Sequence, residues 1–475
     1  MSQSMKRQLS TAQIVFLVVA AAAPLVAMAG TVPLSMGVGN GIGVPGTYLL
    51  ATITLLLFSV GYAQMARIIT RGGGFYTYIA EGLGRPAAAA GAVFALVAYN
   101  ALVAALAGGL GYFLTVGIGI DFPWWVFSLA GVAIMTALGQ RSIDLSAKLL
   151  MILISAEVAV LLAFDLSVIF SLGADAFTWE SFSPSEIFSG APGVAFMFAF
   201  GSFFGFEAAA LYAEESRDPA KVVPRATYTA VLVIGVFYLF TSWMMIGALG
   251  AANAKAEALE HSGELFLNLS ADQLGDAASA VFGLMVITSV FASLLSAHNA
   301  TSRYLLAMGR DGLLPGGLGK LHPKHGSPAN ASRTQAVAIA IVIVVFAVFG
   351  LDPYRQLVAV MSGISTLGII LLQTMASIAI IVFFRRRKDP RLMQTVVAPV
   401  LGSVGMIIAT AMLLLNFDVL ADSHSPVMLS MPYIVILGAV ACALYVRWLR
   451  TNDPQRYAKL GSLDLEIETE KEQVN

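Results

Sequence analysis

The sequence predicts an all-α integral membrane protein of twelve transmembrane helices, and three observations predict it. Hydrophobic residues make up 58% of the chain and charged residues only 12%, with mean hydropathy +0.81; a soluble domain carries about 25% charged residues. No charged residue occurs between Arg7 and Arg67, far beyond what a soluble core helix shows. Apolar runs long enough to cross a bilayer, about 20 residues each, recur along the whole chain.

Apolar runs bounded by charges and turn signals place spans near 13–37, 46–66, 87–117, 124–140, 143–170, 190–214, 226–250, 276–302, 334–350, 357–384, 394–417 and 427–449. Residues 1–12 are then a cytoplasmic N-terminus, 394–449 hold helices 11 and 12, and 450–475 form a cytoplasmic tail. With both termini in the cytoplasm, only Lys255 and Arg355 of the 27 Lys and Arg residues fall on the outer side, as the positive-inside rule demands. This expects a multi-pass protein of the cytoplasmic membrane, in contact with lipid. Net charge is −1 and there is one cysteine, Cys442, so nothing points to nucleic acid and no intramolecular disulfide can form. Lys6, Arg7 and Ala27-Met28-Ala29 imitate a signal peptide, but the apolar run continues past the cut to about Met36.

Two further signals lack their context. The glycines of "GVGNGIG" (37–43) follow a span rather than a strand, so they read as an outer turn and not a nucleotide loop. His322 and His325 have no Cys or further His nearby to complete a metal site. No Ser-His-Asp or paired-carboxylate grouping favours an enzyme, and no cofactor is expected.

Span 6 carries Gly201, Ser202 and Gly205 near its middle, followed by Glu207. Two glycines weaken a helix, and unwinding there exposes carbonyls of the outer half and N–H groups of the inner half. Span 1 runs the other way and carries Pro24, which removes an N–H and clashes with the carbonyl four residues back, then Gly30; taken alone it reads as kinked by close packing rather than unwound. Interrupted first and sixth helices of opposite direction are what a five-plus-five inverted repeat predicts, with repeats over 13–170 and 190–384. Irregular backbone at membrane depth is tolerated where it lines a cavity or is buried in protein, and paired half-helix ends suit a zwitterion.

Glu207 costs about 2.5 kcal/mol or more in a membrane interior; it reads either as an N-cap of the inner half-helix or as a substrate-amine partner or proton-sensitive gate. Glu157 sits midway along span 5, in "LLMILISAEVAVLLAF", where a carboxyl suits proton loading, cation binding or a structural role bonded to Ser or backbone groups. Of the phenylalanines flanking the span 6 break, Phe200 or Phe203 is expected to cover a substrate.

Three stretches carry a family likeness: "RGGGFYTYIAEGLG" (71–84), "FFGFEAAALYAEESRDPAKVVPRA" (203–226) and "SRYLLAMGRDGLLPGGLGKLHPKHGSP" (302–328). Over nearly all of the span region the chain resembles the amino acid–polyamine–organocation transporter superfamily. The resemblance implies a twelve-span fold whose first ten helices form the repeat, with substrate between spans 1, 3, 6, 8 and 10. By position it implies contacts around Ala23, Val26, Ala27 and Met28, around Phe200, Gly201, Ser202, Phe203 and Gly205, and near Asn100 and Ser293. The chain departs from the family twice. The Gly-Ser-Gly type of break in span 1 is replaced by "APLVAMAG". Counted from "SAK" (146–148), the span 5 position that is a lysine in several proton-coupled relatives holds Glu157, which can cycle a proton or bind a metal cation with Ser293. The expectation is a secondary transporter importing an amino acid, coupled to protons or else to sodium, by alternating access around a midplane site. Alternatives are an amine or polyamine permease, an exchanger, or a non-transporting membrane sensor.

Overall fold

A computed structural model describes residues 9–69, 74–118, 122–141, 147–206, 209, 216–310, 312–323 and 325–460. Among these residues the fold is helical, and the extended pairing recorded is an isolated parallel bridge between Leu9 and Ser216. Among the described residues ten helices are long and apolar enough to cross a membrane. Two shorter apolar helices, Trp124–Gln140 and Pro192–Gly201, stand where spans 4 and 6 are expected.

The elements that build the site are α1 (Thr11–Ala22), α2 (Pro24–Gly30), α3 (Val44–Ile68), α4 (Arg85–Ile118), α5 (Trp124–Gln140), α6 (Ala147–Leu172), α7 (Pro192–Gly201), α8 (Pro219–Leu249), α9 (Ala254–His261), α10 (Asp276–Arg310), α11 (Ala329–Val348), α12 (Ala359–Arg386), α13 (Ala398–Leu415) and α14 (Pro426–Asn452). Burial orders them. The apolar windows of α4 and α12 are 72% buried within the protein, whereas that of α14 is 22% buried. So α4 and α12 form the centre, and α14 lies at the rim, turning Val427, Ile434, Leu437 and Leu444 outward as a lipid-facing helix does.

Close packing rests on small residues, the usual device where lipid removes the hydrophobic drive between helices. Gly235 of α8 is one: a Cβ there would overlap the Thr52 side chain of α3. Thr52 itself returns its hydroxyl to the Tyr48 carbonyl at 2.6 Å, satisfying a donor that lipid could not. At the start of α12 the chain enters through a π-turn, Pro353–Val358, capped by Asp352, whose carboxylate accepts from the N–H groups of Tyr354 (2.8 Å) and Arg355 (2.6 Å).

Candidate functional site

The first span is interrupted. α1 ends at Ala22 and α2 begins at Pro24, with Ala23 between them in the left-handed region (φ 47°, ψ 71°). Such a conformation is costly for a residue with a Cβ, so neighbours must hold it. Tyr238 of α8 donates its hydroxyl to the Ala22 carbonyl at 3.0 Å. Leu25 donates its backbone N–H to Glu157 Oε2 on α6 at 3.4 Å. Ser289 of α10 stands beside the same carboxyl. Glu157 is 4% exposed. The two sides of the break are thereby tied to two other helices.

The sixth span breaks as well. α7 stops at Gly201, and Ser202 to Gly205 continue as tight turns, with Phe204 N–H bonded to the Gly201 carbonyl at 3.0 Å. Gly205 has φ 103°, a conformation open to glycine. A Cβ on Gly205 would stand 2.8 Å from Ala21 Cβ, so the two interruptions abut. The Ser202 hydroxyl donates to the Phe198 carbonyl (2.8 Å) and lies 2.9 Å from the Tyr48 hydroxyl, which ties the end of α7 to α3.

Between these breaks lies a cavity of about 560 Å³. Of the residues expected at the site, it is lined by Ala23, Val26, Ala27, Glu157, Gly201, Ser202, Gly205 and Ser293. Four others stand off it. Met28 is fully buried, Asn100 turns its amide back to the Leu96 carbonyl at 2.7 Å, and Phe200 is buried. Phe203 packs toward Tyr238 with ring centroids 6.3 Å apart. Their chain neighbours take the lining positions: Tyr99 and Phe204 meet edge to face at 4.8 Å in the wall. Glu207 lies outside the described residues.

Sequence reasoning missed most of what α10 contributes. Ser289, Ser293, Ser296, Ala300 and Arg303 all line the cavity, spaced by three and four residues, which puts them on one face of a helix. That polar stripe inside an apolar span was the available signal. Thr366 of α12 and Tyr354 at its entrance were missed too.

The two ends of the cavity differ. Toward Arg303 it is wet: Ala21, Ser296 and Arg303 are exposed. Toward Tyr354 it is shut. Tyr354 is 1% exposed and Phe113 4%, and Tyr354 stacks on Tyr112 at 4.8 Å with 23° between the rings. Beside this plug the Arg355 guanidinium donates to the Ser262 hydroxyl at 2.8 Å and to the Leu259 carbonyl, latching the start of α12 onto α9 and the turn that follows it.

A multi-pass helical protein with a cavity between two broken helices has the build of a solute carrier, and the chain belongs to the amino acid permease family, whose profile matches residues 9–440. It is a permease rather than an enzyme. Relatives similar to it include the branched-chain amino acid permease BcaP of Bacillus subtilis (strain 168), 25% identical over 437 residues, covering 87% of this chain and 88% of the relative. The low-affinity putrescine importer PlaP of Escherichia coli (strain K12) is 26% identical over 315 residues, 62% of this chain and 66% of that one. The methylthioribose transporter of Bacillus subtilis (strain 168) is 25% identical over 387 residues, 76% and 78% of the two chains.

Proposed function

We propose that the protein imports a neutral amino acid with an apolar side chain across the cytoplasmic membrane, driven by protons, by alternating access around this cavity. The fold on this reading has twelve spans, the first ten forming an inverted repeat, with both termini in the cytoplasm. The single observation that carries the proposal is the cavity itself, set where two broken helices meet. Broken helices leave backbone donors and acceptors without intrahelical partners, and these match the carboxylate and ammonium of a zwitterion. Leu102, Ala105, Leu106 and Val290 supply an apolar wall for the side chain.

A cationic substrate fits less well. Among the described lining residues Glu157 is the acidic one, and it already accepts from the Leu25 N–H. Arg303 at the mouth opposes a second positive charge. The putrescine importer among the relatives keeps an amine permease as the second reading. The exposed end of the cavity is the end that carries Arg303, which the positive-inside rule assigns to the cytoplasm, so this conformation is inward-open with its outer end closed by Tyr354.

Coupling follows from what Glu157 holds. As a carboxylate it accepts from Leu25 N–H and steadies the break in span 1; a proton on it weakens that bond and frees α1 and α2 to move relative to each other. A sodium ion bound by Glu157 and Ser293 is the alternative driver. Counterflow tests substrate identity apart from coupling. Proteoliposomes preloaded with leucine should take up labelled leucine rapidly, and external valine or methionine should compete while putrescine and arginine do not. Competition by putrescine alone would move the assignment to an amine permease.

A further inference from the structure

Asp165 lies in α6, eight residues beyond Glu157 and so about 12 Å further along the helix at 1.5 Å per residue. It is fully buried. Its Oδ2 accepts the hydroxyl of Thr241 of α8 at 2.9 Å. Its other oxygen, Oδ1, is buried with no hydrogen-bond partner. It does not line the cavity, and neither the transport reading nor the family resemblance uses it. An ionisable side chain within a membrane is rare and usually functional.

Among the described residues the surroundings supply no counter-charge. The elements packed against α6 are α1, α2, α8, α10, the helix Leu265–Leu274 and the turn Gly173–Ala176. α1 and α2 contain no titratable residue. α8 brings Tyr238, committed to the Ala22 carbonyl, while its Lys221, Arg225 and Tyr228 lie near the opposite end of the helix. Asp175, Asp272 and Asp276 are exposed at the ends of their elements. The charged and titratable groups of α10 beyond Asp276 (His298, Arg303, Tyr304, Arg310) lie near its other end. Thr241 is the polar side chain that bonds Asp165.

An ionised carboxylate in this setting would have one hydrogen bond, one bare oxygen and no cation, and burying an unpaired charge costs several kcal/mol. A proton on Oδ1 removes that cost. Tyr238 and Thr241 are three residues apart on one face of α8, so the helix that caps the span 1 break also bonds Asp165. Movement of α8 against α6 then changes both contacts at once.

We propose that Asp165 is a second proton-binding site, separate from Glu157: one proton sits on its carboxyl in this conformation and returns to water when the contact between α6 and α8 opens. No other bond is made or broken and nothing is oxidised or reduced. Its part in coupling rests on the proton-driven reading above; its protonation does not.

The infrared spectrum of the purified protein in lipid tests the proposal without relying on transport. A protonated carboxylic C=O stretch that shifts on exchange into D2O should be present in the wild type, retained in Glu157→Gln and absent in Asp165→Asn. Thr241→Val keeps the acid but removes its donor, so it should shift the band rather than abolish it; this variant serves if Asp165→Asn does not fold. Absence of the band in the wild type, or a band that collapses on adding sodium, would overturn the proposal. In proteoliposomes Asp165→Asn should carry one proton fewer per substrate. If the wild type moves no protons, the coupling reading fails and the infrared band still decides Asp165. A variant with unchanged proton stoichiometry would remove Asp165 from the transport cycle.

Discussion

Replacing Gly205 with alanine puts a methyl group where the two broken helices touch. The new Cβ would stand 2.8 Å from Ala21 Cβ, on a backbone with φ 103°. Positive φ costs a non-glycine residue roughly 1–2 kcal/mol, and forcing an extra methyl into a packed site costs typically 1–3 kcal/mol, so about 3 kcal/mol of strain falls on this junction. The least costly escape separates the turn after α7 from α1, which widens the site between them. If half of the strain is relieved that way, substrate affinity falls by about tenfold, because each 1.4 kcal/mol is a factor of ten. The assay is leucine uptake into proteoliposomes for KM, with the melting temperature of the purified protein measured in parallel. Gly250→Ala is the control: it shares a positive φ (73°) but has open space around the added carbon, so it should lose a little stability and keep its KM. An unchanged KM in Gly205→Ala would mean that the contact between the two breaks does not shape the substrate site.

Glu157→Gln keeps a group able to accept from Leu25 N–H but cannot cycle a proton, so it should abolish proton-driven accumulation while sparing exchange; unchanged accumulation would take Glu157 out of coupling. Arg355→Ala removes the latch to Ser262 and Leu259 and should open the outer end. A cysteine at Val358, in a background without Cys442, should then react faster with an impermeant maleimide added outside, and no gain in reactivity would refute the latch. In the loop between α12 and α13, the Arg391 side chain bonds Asp389 (2.7 Å) and holds its carboxyl down at about 2. A depressed carboxyl stabilises the folded state above its unfolded value and loses that effect only as pH falls through the folded one. The stability difference between wild type and Asp389→Asn should therefore stay constant between about pH 5 and 8, and a difference that changes over that interval would contradict the pairing.

Much of the architecture is written in hydropathy, because a bilayer permits few alternatives to apolar helices. The span 6 interruption was legible because Gly205 acts locally on the backbone, whereas Pro24 marked span 1 only as a kink; the chain departs from helix beside each. Side-chain direction was less legible. One residue along a helix turns the side chain by about 100°, and span boundaries read from composition shift by that much. Tyr99 lines the cavity where Asn100 was expected, and Phe204 where Phe203 was. Ser202 was readable as a polar group at the break, but its partner Tyr48 sits on a helix 154 residues away in sequence. Asp165 stands in "LLAFDLSVIF" with no local pattern to mark it. Its burial depends on how α8 packs against α6, which composition does not encode.

The central claim is that this cavity passes an amino acid from outside to inside at the expense of a proton gradient. It is tested most directly by the accumulation of labelled leucine in proteoliposomes under an inward proton gradient, an inward sodium gradient, or neither. The account predicts accumulation above the external concentration with the proton gradient alone, collapsing when a protonophore is added. Equal accumulation under all three conditions, or dependence on sodium, would contradict it.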